Sequence, residues 1–237
     1  AEDGLIQDYF DKIKLPYTSC NAKVSALTFD KFECNNTLKR LGFRCARSIL
    51  ITSDEKILES EIIDQVRLPC FVKPNGAGSS YGISKVTKLT NLSQAIKDAF
   101  SYDSKVIIES FISGIEVSCS VYFDGNKINS LPITEIISEN DFFDYEAKYK
   151  GKSQEITPAR ISDQTASEIQ TTTIKIYKKM NLSGICRVDF IIQNDQPYII
   201  EVNTIPGLTE DSIFPKQLKV ANITLSEIFE LCLNNIN

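Results

Sequence analysis

The chain of 237 residues contains no histidine. That absence removes Ser-His and Cys-His nucleophilic catalysis and imidazole-ligated metals, leaving acid–base and charge-stabilising work to Lys, Arg, Tyr, Asp and Glu. No apolar stretch approaches the roughly 18 residues of a membrane span. There is no run of five Lys or Arg, and the formal net charge is −5, so neither a membrane nor nucleic acid is an expected partner. The opening Ala1-Glu-Asp-Gly is acidic rather than basic and then apolar, which predicts no signal peptide. The seven cysteines (Cys20, Cys34, Cys45, Cys70, Cys119, Cys186, Cys232) are scattered, without C-x-x-C. This argues against a disulfide framework or zinc site and for buried thiols in a reducing cytoplasm. No internal repeat or low-complexity tract is present.

What remains is an ordinary globular composition, 42% hydrophobic and 24% charged, with enough chain for a substantial core. Apolar spacing predicts helices over 4–13, from about Thr28 to Leu41, over Thr90–Phe100 and over Ser162–Met180. A capping box, Thr224-Leu-Ser-Glu227, opens a last helix. Strands are predicted at Ser48–Thr52, Cys70–Lys73, Ile83–Val86, Lys105–Glu109 and Glu116–Phe123, the last alternating like an outer strand. Residues 138–157 lack periodicity, a mark of functional or disordered segments at that length, and Thr204–Pro215 reads as loop.

Two segments carry most of the chemistry. Arg187-Val-Asp189-Phe-Ile-Ile and Tyr198-Ile-Ile-Glu201-Val-Asn203 flank Gln193-Asn-Asp-Gln-Pro197, predicting a hairpin with Ile192 opposite Tyr198. In that register Asp189 faces Glu201 and Arg187 faces Asn203. Val188, Phe190, Ile192, Tyr198, Ile200 and Val202 take the other face. Opposed carboxylates destabilise a bare hairpin, but two of them beside an amide oxygen suit a hard divalent cation, Mg²⁺ where phosphates share the site. Arg187 would be free to meet a substrate's negative charge. The alternative is an ordinary hairpin with a solvated acidic face, and a one-residue slip would break up the set.

Further upstream, Pro74-Asn-Gly76-Ala-Gly78-Ser79-Ser80-Tyr81-Gly82 joins two predicted strands. Its small residues let N–H and hydroxyl groups approach a phosphate. It is neither a Walker A loop nor a Rossmann fingerprint; it reads as a flap over phosphates or as a plain glycine-bearing hairpin. Lys73, just before it, and Lys31, early in a helix, are candidate phosphate neutralisers or solvated lysines. Glu109 and Glu116 flank a turn and are placed either to accept from ribose hydroxyls or simply at the surface.

Taken in chain order, these motifs resemble the D-alanine–D-alanine ligase family of the ATP-grasp superfamily. The matching stretches are Glu2-Asp-Gly4-Leu-Ile-Gln7, Ser25-Ala-Leu-Thr-Phe-Asp-Lys31, Phe71-Val-Lys73-Pro and Gly78-Ser79-Ser80-Tyr-Gly82-Ile-Ser-Lys85-Val86. They continue with Ile108-Glu109, Gly114-Ile-Glu116, Asp144-Tyr-Glu-Ala-Lys148-Tyr149, Arg187-Val-Asp189 and Glu201-Val-Asn203-Thr-Ile-Pro-Gly207-Leu-Thr209. The resemblance implies an α/β (α+β) ATP-grasp fold whose two α+β lobes, 29–109 and 110–237, clamp ATP. Residues 1–28 would be a remnant of the domain that normally precedes them. It implies ATP-dependent joining of two D-alanines through an acylphosphate, for peptidoglycan precursors, with ATP and two Mg²⁺ ions, Mn²⁺ being the alternative metal.

By position, Lys31, Lys73 and Lys148 would contact ATP phosphates, under Ser79 and Ser80. Glu109, Ile112 and Glu116 would hold adenine and ribose. Asp189, Glu201 and Asn203 would ligate the metal, and Tyr149 would belong to the lid. Arg187 and the Gly207 amide would stabilise the tetrahedral centre, while Ser212 and Ile213 would border the second substrate's carboxylate. The chain opens where the family normally continues from a whole α/β domain that completes the first D-alanine site. A fragment or a truncated paralogue is implied, leaving open a homodimer, a separate chain supplying that domain, or an ATP-binding module without ligase activity. Glu210 and Asp211 stand where many relatives have Ser-His, and Tyr81 where a smaller residue is common. These departures keep D-alanine–D-lactate and D-alanine–D-serine chemistry as alternatives.

Overall fold

The computed structural model describes residues 1–54, 58–78, 81–138 and 153–236. Two antiparallel sheets organise them. The smaller contains β1 (Ser48–Thr52), β2 (Cys70–Pro74), β3 (Ser84–Val86) and β4 (Lys105–Ser110), in the order β1-β4-β2-β3. Its core face is covered by α4 (Glu59–Val66) and α5 (Leu92–Phe100), which set Ile62, Val66, Leu92 and Ala99 against Val72, Val86, Val106 and Ile108.

The larger sheet contains β5 (Ile115–Phe123), β6 (Ile128–Ser130), β7 (Thr134–Ser138), β8 (Ser153–Ile156), β9 (Cys186–Gln193) and β10 (Gln196–Asn203). Its order is β10-β9-β5-β7-β8, with β6 also paired to β5. After α1 (Leu5–Ile13) come α2 (Ala22–Phe29) and α3 (Lys31–Arg40), and later α6 (Asp163–Lys179). One sheet face packs against α2, α3 and α6 through Val24, Leu38, Ile169 and Ile176. On the other side, Tyr122 and Leu131 meet α7 (Ile213–Val220) and α8 (Leu225–Asn234). No helix among the described residues is long and apolar enough to cross a membrane.

Four expectations need correction. The helix expected over residues 28–41 is two helices, because Asp30 leaves the helical conformation and its carboxylate caps α3 by accepting the Glu33 N–H at 3.0 Å. The strand expected at an edge, β5, is central and covered on both sides, so Val117 to Tyr122 are all buried, Ser118 and Ser120 included. The loop expected through Pro215 gives way to α7 at Ile213. Pro215 is tolerated there because the first turn of a helix has no intrahelical acceptor for its N–H groups. Finally, β7 and β8 take the two ends of the stretch that lacked periodicity; residues 139–152 lie outside the described residues.

The hairpin is where local and tertiary geometry meet. Its turn is two residues, Asn194 and Asp195, with φ of 51° and 59°, the left-handed pair that a type I′ turn requires. This sets Ile192 opposite Pro197 rather than Tyr198, and Phe190 opposite Ile199. Continued unchanged, that register would turn Glu201 into the core. A bulge between Ile199 and Glu201 takes up one residue, and beyond it Asp189 faces Glu201 and Arg187 faces Asn203. The expected facing of the four polar residues therefore holds, while Ile199 is buried in place of Tyr198 and Ile200. Cys70, Cys119 and Cys186 are free thiols in the core, as their apolar strands predict.

Candidate active site

A cleft of about 260 Å³ opens between the two sheets. On one wall, alternation along β2 sends Val72 inward and Lys73 to the cleft. Lys73 Nζ donates to Glu109 Oε2 at 2.7 Å, and Glu109 Oε1 accepts from Asn35 Nδ2 at 2.5 Å. Glu109 is thus buried and bound on both oxygens, not at the surface. Burial pulls the Lys73 ammonium down, but the carboxylates around it, Glu109 first and then Glu201 and Glu116, together hold Lys73 above its ordinary value. Lys31, the first residue of α3, donates from Nζ to the Ala77 carbonyl at 2.6 Å. The glycine loop is tied further by Phe32 N–H to Asn75 Oδ1 at 3.0 Å and by Gly76 N–H to Asp103 Oδ2 at 2.6 Å.

The opposite wall is the hairpin face. Arg187 donates from Nε and Nη2 to the two oxygens of Asp189, each at 2.8 Å. Arg187 was expected to be free; instead it grips the carboxylate beside it, because residues two apart on a strand share a face. Burial opposes the guanidinium charge, but Asp189, with Glu201 and Glu155 behind it, outweighs burial and raises the Arg187 pKa. The Ser118 hydroxyl donates to Asp189 Oδ1 at 2.5 Å. Asn203 Oδ1 accepts the Ile205 N–H at 2.9 Å, and an amide oxygen keeps a second lone pair.

A second cleft, about 400 Å³, adjoins the first and shares Arg187, Glu201 and Ile213 with it. Of the residues indicated by the sequence, Lys31, Lys73, Glu109, Ile112, Glu116 and Asp189 line the first cleft, and Asn203, Gly207 and Ser212 the second. A Cβ at Gly207 would lie 2.6 Å from Ser212 Oγ, so a larger residue there would push that hydroxyl aside. Ser79, Ser80, Lys148 and Tyr149 lie outside the described residues. A larger hollow of about 700 Å³, near Phe10, Tyr17 and Cys232, contains none of the indicated residues. Asn35 and Ser118 were missed: one is a polar residue within a helix, the other a serine within an apolar strand, and neither spacing marks a site.

Among the described residues no three His, Cys, Asp or Glu side chains gather as a metal cage. The hairpin offers two carboxylates and an amide oxygen, all hard donors. That set fits Mg²⁺, which is held by one or two carboxylates together with substrate phosphates rather than by an all-protein cage.

Two α+β lobes closing on a cleft, with lysines beside a glycine loop on one wall and an acidic hairpin on the other, make this an ATP-grasp protein. Residues 37–234 match the family model described as D-ala D-ala ligase C-terminus. The chain is 50% identical over 229 residues to the D-alanine–D-alanine ligase of Flavobacterium johnsoniae, covering 97% of this chain and 71% of that one. Its fold matches D-alanine–D-alanine ligase from Bacillus anthracis (TM-score 0.86, 32% identity, 98% of this chain and 75% of that one). A D-alanine–D-alanine ligase from Bacillus anthracis complexed with ATP gives a TM-score of 0.84 at 28% identity, covering 98% and 74%. VanG D-Ala:D-Ser ligase from Enterococcus faecalis matches with a TM-score of 0.86 at 32% identity, over 98% and 68%. The chain belongs to the D-alanine–D-alanine ligase family, whose members are ATP-dependent ligases.

Proposed function

We propose that this chain carries the ATP- and Mg²⁺-dependent joining of two D-alanines through an acylphosphate, making peptidoglycan precursor in the cytoplasm. The observation that carries the reading is the convergence, in one cleft, of Lys31 and Lys73 with Asp189, Glu201 and Arg187. The two lysines meet phosphate oxygens as point charges. Glu109, Ile112 and Glu116 border the adenine and ribose end. Asp189, Glu201 and Asn203 hold two Mg²⁺ ions, which when bound spread the charge of phosphoryl transfer. Arg187 shifts its grip from Asp189 toward the oxyanion of the second step, where the Gly207 N–H also donates. Ser212 and Ile213, at the start of α7, border the second D-alanine's carboxylate. The Ser212 N–H is held by the Thr209 carbonyl at 2.8 Å, so at this helix start it is the Ile213 N–H that faces the anion. The clamping lobes are 29–109 and 110–237, one sheet in each, and 1–28 is a remnant of an N-terminal domain; α2 and α3 pack on the larger sheet.

ADP release with ATP, Mg²⁺ and D-alanine tests this reading, beside a sample lacking D-alanine. Turnover that requires D-alanine and disappears in Glu201→Ala supports it. ATP binding without D-alanine-dependent turnover overturns it in favour of a nucleotide-binding module. D-serine and D-lactate belong in the same assay, since the fold matches a D-Ala:D-Ser ligase equally well.

A further inference from the structure

We infer that Ser118, braced from behind by Gln217, is a positioning residue that keeps Asp189 oriented toward a divalent cation. The inference rests on the reading of Asp189 as a cation ligand. Ser118 is fully buried in β5, directly opposite Asp189, and its hydroxyl meets Oδ1 of that carboxylate at 2.5 Å. Behind it stands Gln217 of α7, also fully buried. Gln217 Nε2 donates to the Ser118 carbonyl at 2.9 Å and to Thr134 Oγ1 at 3.1 Å. Gln217 Oε1 accepts the Ser120 N–H at 3.2 Å. Thr134 Oγ1 in turn shares a hydrogen bond with Thr157 Oγ1 at 2.7 Å.

Packing alone does not call for these groups. A buried hydroxyl and amide carry a desolvation cost that a leucine-like filler would avoid, and the hydrogen bonds linking Ser118, Gln217 and Thr134 give rigidity in return. That rigidity is useful at Asp189, which is held in two different ways. Arg187 grips it through a long side chain that the oxyanion of the second step would draw away. Ser118 grips it from a strand fixed by Gln217. When Arg187 leaves, Oδ1 of the carboxylate stays bonded to Ser118. Gln217 also belongs to the helix whose first residues line the second cleft, so the same row ties the cation carboxylate to the acceptor end of the site.

The test is ATP affinity by isothermal titration, once with Mn²⁺ and once with EDTA, on Ser118→Ala, Ser118→Thr, Ser118→Cys and Asp189→Asn. Ser118→Ala is expected to weaken ATP binding by about 10-fold or more with Mn²⁺ and to leave the EDTA value unchanged. Ser118→Thr, which keeps the hydroxyl, should restore the Mn²⁺-dependent gain. A merely structural role would lower both affinities together. An unchanged Mn²⁺ affinity in Ser118→Ala, or a Thr variant as weak as the Ala one, overturns the inference. If Ser118→Ala does not fold, Ser118→Cys, close in size with a weak donor, decides by the same comparison. Asp189→Asn separates the two levels. If it loses the Mn²⁺ gain while Ser118→Ala keeps it, only the positioning role fails; if it keeps the gain, the ligand reading of Asp189 fails and takes the inference with it.

Discussion

Replacing Glu109 with alanine would strand Lys73. The pair is 2.7 Å apart, with side chains 13% and 8% exposed. At an effective dielectric constant of about 20 that separation corresponds to about 6 kcal/mol of attraction. Desolvating two ions offsets most of this, so the intact pair adds little net stability. The half-pair is the unstable species: an ammonium buried without its counter-charge, and an Asn35 amide that has lost its carboxylate partner. Breaking a buried pair costs about 3–5 kcal/mol. For a chain of 237 residues, at about 2–4 °C per kcal/mol, the thermal midpoint falls by about 6–20 °C. Combining Lys73→Met with Glu109→Leu removes both charges and is expected to recover most of that loss while abolishing ATP binding. Urea unfolding of the wild type, both single variants and the double variant measures the coupling. A Glu109→Ala variant within about 1 kcal/mol of wild type, or a double variant as unstable as the two singles added together, refutes the reasoning.

Three further outcomes are expected. Gly114→Ala would place a Cβ 2.0 Å from the Ile192 carbonyl oxygen; this overpacking against backbone lowers stability by about 1–3 kcal/mol in denaturant titration. Asp195→Gly removes a side chain from a residue at φ 59° and completes the Asn-Gly turn that hairpins favour, raising the unfolding free energy by about 1 kcal/mol. Glu135 accepts two guanidinium bonds from Arg160, at 2.9 and 2.7 Å, which hold its pKa below the usual carboxylate value. A depressed carboxylate pKa stabilises the fold at neutral pH, and that contribution is lost as pH falls through the folded-state pKa. Arg160→Gln should therefore lower the midpoint at neutral pH and match wild type in strong acid; an equal difference at both pH values contradicts the assignment.

Much of the site was legible from local pattern. Side-chain alternation with a period of two is a property of the strand itself, so Arg187 and Asp189 had to share a face, as did Glu201 and Asn203. The same locality made the glycine loop after Lys73 and the capping box at Thr224 readable, and the lack of histidine narrowed the chemistry without any structure at all. The register that joins the two hairpin faces was not local. Asn194 and Asp195 set one pairing, and the bulge before Glu201 sets another, so the right facing was reached from the wrong pairing of Ile192. Only tertiary packing decided that β5 is covered on both faces, that Glu109 is held by Lys73 and Asn35 from 36 and 74 positions away, and that Ser118 reaches Asp189 across 71. Sequence periodicity specifies which way a side chain points from its own element; which partner waits there depends on how the elements stack, and that is settled by burial and hydrogen-bond satisfaction over the whole fold.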